Sequence, residues 1–277
     1  MANKKRVVWI VVAILACAAI GLGIYFYIQP SKEAVPVKMP IVKEAPPRPP
    51  EKAIQEEEKK ISPAELPKLE QSDDWLREMA RGLSSNPKFA DWFKIKSIIR
   101  RIAAAVDNIA EGNSPRAPLD FLKPKKGFTV KKKGERLYVN PKSYTRYNLV
   151  ADIFSSLDAQ GAARVFKELK PLFQEAYREL GYPDRDFQDT LIRAIKELLR
   201  TPVVEGDILL EEKVISSSMI SMADERLEDL TDAQKHLLRM GPKNTAKIQG
   251  KLREIAQALG VPENQLPKSR VYHSKVK

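Results

Sequence analysis

His236, Arg239, Lys243 and Asn244 gather around Gly241-Pro242, the expected start of a helix. Free amides at a helix start, together with cationic side chains, could hold a phosphate or carboxylate. Lys235 and Arg239, then Lys243, Lys247 and Lys251, repeat at four-residue spacing and would place a basic flank beside that pocket. A second candidate is Tyr144, Arg146 and Tyr147, two aromatics around a guanidinium, suited to cation-π contact, carbohydrate stacking or a buried Tyr and Arg network. Each cluster also has a purely structural reading: charges on a solvated face, and polar groups satisfying backbone carbonyls at a helix junction.

Catalytic chemistry has little material. The chain has two histidines, His236 and His273, and one cysteine, Cys17, which excludes an intrachain disulfide or a cysteine-cluster metal site. Glu175 and Glu179 fall on one helix rather than opposing each other, so they lack the separated environments of an acid and base pair. Asp107-Asn108 reads as structural, with Arg100 as a partner. No phosphate loop, HExxH run, GxSxG elbow or SxxK pair occurs, and the expectation is no enzyme, no cofactor and no metal.

The elements that would carry these residues follow in order. Lys4, Lys5 and Arg6 lie in a short cytoplasmic tail, residues 1–6, before an apolar run from Val7 to Ile28. At ~1.5 Å per residue the run crosses a ~30 Å hydrocarbon core, which predicts a transmembrane helix over 7–29. Trp9, Tyr25 and Tyr27 suit the interfaces, and the leading cations keep the N-terminus inside. Ala16-Cys17-Ala18 could be a cleavage site and Cys17 an acylated lipoprotein residue. The apolar run outlasts a signal core, however, so the expectation is an uncleaved anchor. Residues 30–62 turn rich in proline and charge, a linker that keeps the remainder clear of a membrane.

From 63 to 260 helical periodicity predicts a compact, mainly α domain with one or two small hairpins. Ser72 caps a short helix, Asn86-Pro87 starts another, and Ile95, Ile98, Ile99, Ile102, Val106 and Ile109 form one buried stripe. Phe128–Val139 and Val203–Met222 read as hairpins, and Pro171 breaks a helical stretch near Lys170. Residues 261–277 carry cations and few apolar residues and read as a mobile basic tail.

The runs IIRRIAAAVDNIAEG, PKSYTRYNLV, PLFQEAYRELGYP, LLRTPVVEGDILL and DERLEDLTDAQKHLLRMGPKNTAKIQGKLREIA resemble a bacterial family designated domain of unknown function 3014. The resemblance implies a single-span envelope protein with a periplasmic domain, and no catalytic residue.

Net charge is +12. The surplus is concentrated in residues 122–136 and 234–277. Export of the domain argues against nucleic acid as a partner. The expected role is therefore an inner-membrane, periplasmic interaction or scaffolding module for an envelope protein. The alternatives are direct binding of an anionic envelope polymer or lipid headgroups, and an unrecognised enzyme. Self-association stays open.

Overall fold

The computed structural model describes residues 66–274 apart from residue 216. The expected transmembrane span and linker lie outside the described residues. Among the described residues no helix is long and apolar enough to cross a membrane. What is described is a mainly helical domain with a few short strands.

Helix α1 (Ser72–Met79) follows a 3-10 turn over Leu69–Gln71. Ser72 is not its side-chain cap: its hydroxyl turns back and donates to the Leu69 carbonyl at 2.7 Å, closing the preceding turn. The helix expected from Asn86-Pro87 is also interrupted. Phe89–Phe93 forms a 3-10 turn, and Ser97 adopts a left-handed φ of 55° before α2 (Ile98–Ala110) begins. Two residues of α1 hold this break together. Asp73 accepts hydrogen bonds from the Ser97 and Ile98 amides at 2.8 and 2.9 Å, and Arg77 donates to the carbonyls of Phe93 and Ile95. A remote carboxylate thus satisfies the first amides of α2 and stabilises the positive end of its dipole.

The first hairpin is β1 (Val130–Lys133) and β2 (Arg136–Val139), turning at Gly134 with φ 59°. Asn140 accepts from the Lys142 amide and opens a 3-10 turn, Pro141–Tyr147, that passes into α3 (Asn148–Ser155). Next come α4 (Ala159–Glu168) and α5 (Lys170–Glu179), separated where Pro171 enters the first turn of α5. Helix α6 (Phe187–Leu199) starts at Asp186, whose carboxylate accepts from the amides of Gln188 and Asp189.

After β3 (Val203–Glu205), strands β4 (Leu209–Ile215) and β5 (Ser217–Met222) form the second hairpin. Pairing of β2 with β4 joins the hairpins into one sheet of order β1-β2-β4-β5. Three helices complete the main body: α7 (Glu225–Glu228), α8 (Asp232–Leu238) with a Thr231–Gln234 capping box, and α9 (Pro242–Ala258).

The segment expected to be a mobile tail is folded as far as Ser274. Val261 and Leu266 are buried, Arg253 pairs with Glu263 at 2.5 Å, and β6 (Val271–His273) runs parallel to β3. Backbone pairing with the β3 edge and two apolar anchors outweigh its poor apolar composition, which is why a reading of composition misplaces it.

Two cores result. A small one under the sheet contains Val139, Ile208, Leu210, Met222, Leu227 and Leu238. The larger one lies among the helices, where α2 packs on α5 and α6, and α9 packs on α3, α4 and α6. Within it Phe173 stacks on Phe187 at 5.4 Å, and the buried Tyr177 hydroxyl donates to Asp107 while accepting from Thr190. Asp107 is therefore held by tyrosines rather than by Arg100, which instead bridges Glu70 and Glu179.

Candidate functional site: an apolar cavity with a cationic mouth

Helices α2, α3, α4, α6 and α9 line a cavity of about 780 Å³ that opens to solvent. Its walls are overwhelmingly apolar. Helix α2 contributes Ile98, Ile102, Val106 and Ile109; α3 and α4 contribute Val150, Phe154, Ala162 and Val165; α6 contributes Leu191 and Leu198.

The expected stripe on α2 therefore divides. Ile98, Ile99 and Val106 are buried and Ile95, Ile102 and Ile109 keep partial exposure, and all of them except Ile99 line the cavity. Half-buried apolar residues on several facing helices are the counterpart of a core that does not close.

The segment between α2 and β1 forms one border. It contains Pro115, Pro118 and Pro124 and, apart from a 3-10 turn at Asp120–Leu122, has no regular structure. Leu119, Phe121, Leu122 and Phe128 supply apolar surface to the cavity, while Arg116, Lys123, Lys125 and Lys126 are exposed and also line it. These cations therefore sit where the cavity meets solvent. Arg101 and Arg146 line it as well, and among the described residues no Asp or Glu does.

The two clusters singled out in the sequence meet here only in part. His236, Arg146 and Tyr147 all line the cavity, and the Tyr147 and His236 rings lie edge to face at 6.4 Å. Arg146 is fixed by donating to the carbonyls of Ser143 and Lys126 and lies over the rings of Phe128 and Tyr147. His236 Nδ1 is 3.1 Å from the Ser114 hydroxyl. Burial, then Arg116 and Arg239, push its pKa down to about 4, so it is neutral at physiological pH and is a poor anion ligand.

The expected pocket at the start of α9 is filled. Asn244 is buried and its amide donates to the carbonyls of Tyr144 and Met240 and to Asn148. Tyr144 packs so closely on Gly241 that a Cβ there would lie 2.3 Å from its ring, and Gly241 has φ 86°. Burial and Asp207 raise the Tyr144 hydroxyl to about 12.

The basic flank is largely neutralised. Lys235 reaches the Glu228 carbonyl and carboxylate, Lys247 pairs with Asp152 at 2.5 Å, and Lys251 pairs with Glu254. Lys243 is exposed and Arg239 half-buried; neither makes an ion pair among the described residues, and neither lines the cavity.

The cavity itself was missed by the sequence reading. Its traces were an apolar stripe on α2 wider than one packing contact needs and a basic, proline-rich segment directly after it. Among the described residues no group of three or more His, Cys, Asp or Glu side chains could hold a metal ion.

Residues 98–256, from the first turn of α2 to the last of α9, match the family model described as "Protein of unknown function (DUF3014)". The chain belongs to this family. The matched span contains most of the cavity and its whole cationic border. No curated protein and no solved structure matches the chain.

Proposed function

We propose that this DUF3014 protein is a membrane-anchored binding module that takes the apolar part of a ligand between its helices. In this reading residues 7–29 span an inner membrane and residues 30–62 carry the domain into the periplasm. The interaction role expected from the sequence is then played by the cavity, and the role is binding rather than catalysis. Tethering concentrates the domain near the bilayer, where apolar ligands are held.

The observation that carries the reading is the cavity of about 780 Å³ with apolar walls. Its size falls in the range of about 300–1,000 Å³ usual for ligand sites. Water finds few hydrogen-bond partners on these walls, so an apolar group is the better occupant.

The test is titration of the protein with an environment-sensitive apolar dye, alongside the filling variant Ile102→Phe with Ala162→Phe. The reading predicts saturable binding that the double variant weakens at least tenfold, with thermal stability kept or raised because the void shrinks. Unsaturable binding, or binding unaffected by filling, contradicts it.

A further inference from the structure

We infer that the ligand of this cavity is an anionic lipid, its acyl part between the helices and its headgroup against Arg116, Lys123, Lys125, Lys126 and Arg146. The inference rests on the apolar-ligand reading and adds the headgroup. Three observations carry it.

First, the charged side chains on the cavity's border are of one sign: among the described residues cations line it and no carboxylate does. Second, these cations are not balanced by the described residues. Arg116, Lys123, Lys125 and Lys126 make no ion pair among the described residues, and Arg146 is held by backbone carbonyls that fix its position without neutralising it. Arg101 differs, being paired with Asp120 at 2.8 Å. Elsewhere on the domain cations commonly find carboxylates, as Arg100, Lys131, Arg193 and Lys247 do. Third, the apolar and cationic groups share one segment, with Phe121 and Leu122 on one side of Lys123, Lys125 and Lys126 and Phe128 on the other.

An extended polyanion would need a basic track, and a neutral lipid would need no unbalanced charge. An apolar cavity ending in unpaired cations fits a molecule with one greasy part and one anionic part. The downward pull of Arg116 on His236 agrees with a positive field at this border.

The experiment uses the full chain in phosphatidylcholine nanodiscs, titrated below micelle-forming concentrations with a fluorescent long-chain carboxylate and, separately, its methyl ester. The carboxylate is expected to bind on the order of tenfold more tightly than the ester. Combined Arg116→Gln, Lys123→Gln, Lys125→Gln and Lys126→Gln should erase that preference, whereas Lys88→Gln, Lys142→Gln, Lys167→Gln and Lys268→Gln, off the cavity, should preserve it. Phosphatidylglycerol nanodiscs should compete with the carboxylate.

Equal binding of carboxylate and ester, both lost on filling the cavity with Ile102→Phe and Ala162→Phe, would overturn the headgroup inference and leave the apolar-ligand reading standing. Failure of both probes to bind would remove that reading itself. A carboxylate preference that survives filling would reduce the site to surface charge. Binding seen only after removal of residues 7–65 would mean that the chain occupies its own cavity. Either of these last two outcomes overturns the inference.

Discussion

Two basic stretches of the domain have different fates in the fold. Around α8 and α9 the elements fit tightly: Lys235, Lys247 and Lys251 are ion-paired, Asn244 is fully engaged, and Tyr144 presses on Gly241. Along residues 116–126 Arg116, Lys123, Lys125 and Lys126 have no carboxylate partner among the described residues and border an open apolar space. Charge density alone therefore does not mark a binding surface. What distinguishes the second region is charge that the protein leaves unbalanced beside apolar surface that it leaves uncovered.

Perturbing the two regions should separate stability from binding. The largest effect belongs to the tight region. Gly241→Ala forces a Cβ into the Tyr144 ring at a left-handed backbone and should cost about 3 kcal/mol or more, read by chemical denaturation. Asn244→Ala, which strands two carbonyls and the Asn148 side chain, should cost about 2 kcal/mol by the same measurement.

His236 lies between the regions, pressed by Arg116 from one and Arg239 from the other. Its folded value of about 4 lies below the ordinary 6.5, so as pH falls the unfolded chain takes up the proton first. Stability is then complete above pH 6.5 and declines toward pH 4, by up to about 3 kcal/mol. His236→Gln should flatten that part of the pH profile, and Arg116→Gln, by letting the folded value rise toward 6.5, should shrink the decline and end it at higher pH.

Neutralising the four mouth cations should change thermal stability by less than about 0.5 kcal/mol, because no ion pair is lost, while altering anionic-ligand affinity. Lys247→Gln should be smallest in both respects. It removes one half-exposed pair with Asp152, worth about 0.5 kcal/mol or less, and should leave ligand affinity unchanged.

The periodic parts of the fold were legible. The apolar spacing of α2, α6 and α9, the break at Pro171 and the first hairpin follow from local rules, whereas the second hairpin starts at Leu209 rather than Val203 because Val203–Glu205 pairs with β6. Features decided by distant partners were not. Ser97 can adopt its left-handed turn because Asp73 receives the amides that follow, and Asp107 is claimed by Tyr177 and Tyr182 from other elements. The chain after Gly260 folds because β3 offers an edge. The cavity was hidden for the same reason. A hydrophobic stripe reports that a helix has an apolar face, but whether that face meets another helix or an open space depends on tertiary packing. His236 and Arg146 belong to separate clusters in the sequence but share a cavity wall in the fold, where Arg146 makes its expected cation-π contact with Tyr147.

The most direct test of the account is photo-crosslinking of the full-length protein in nanodiscs with a diazirine-bearing fatty acid, followed by peptide mapping. The account predicts label on α2, α3 and α6 at Ile102, Val150 and Leu191, competed away by unlabelled fatty acid. Label confined to outward-facing surfaces such as Lys243 and Lys247, or label that competitor does not displace, would contradict it.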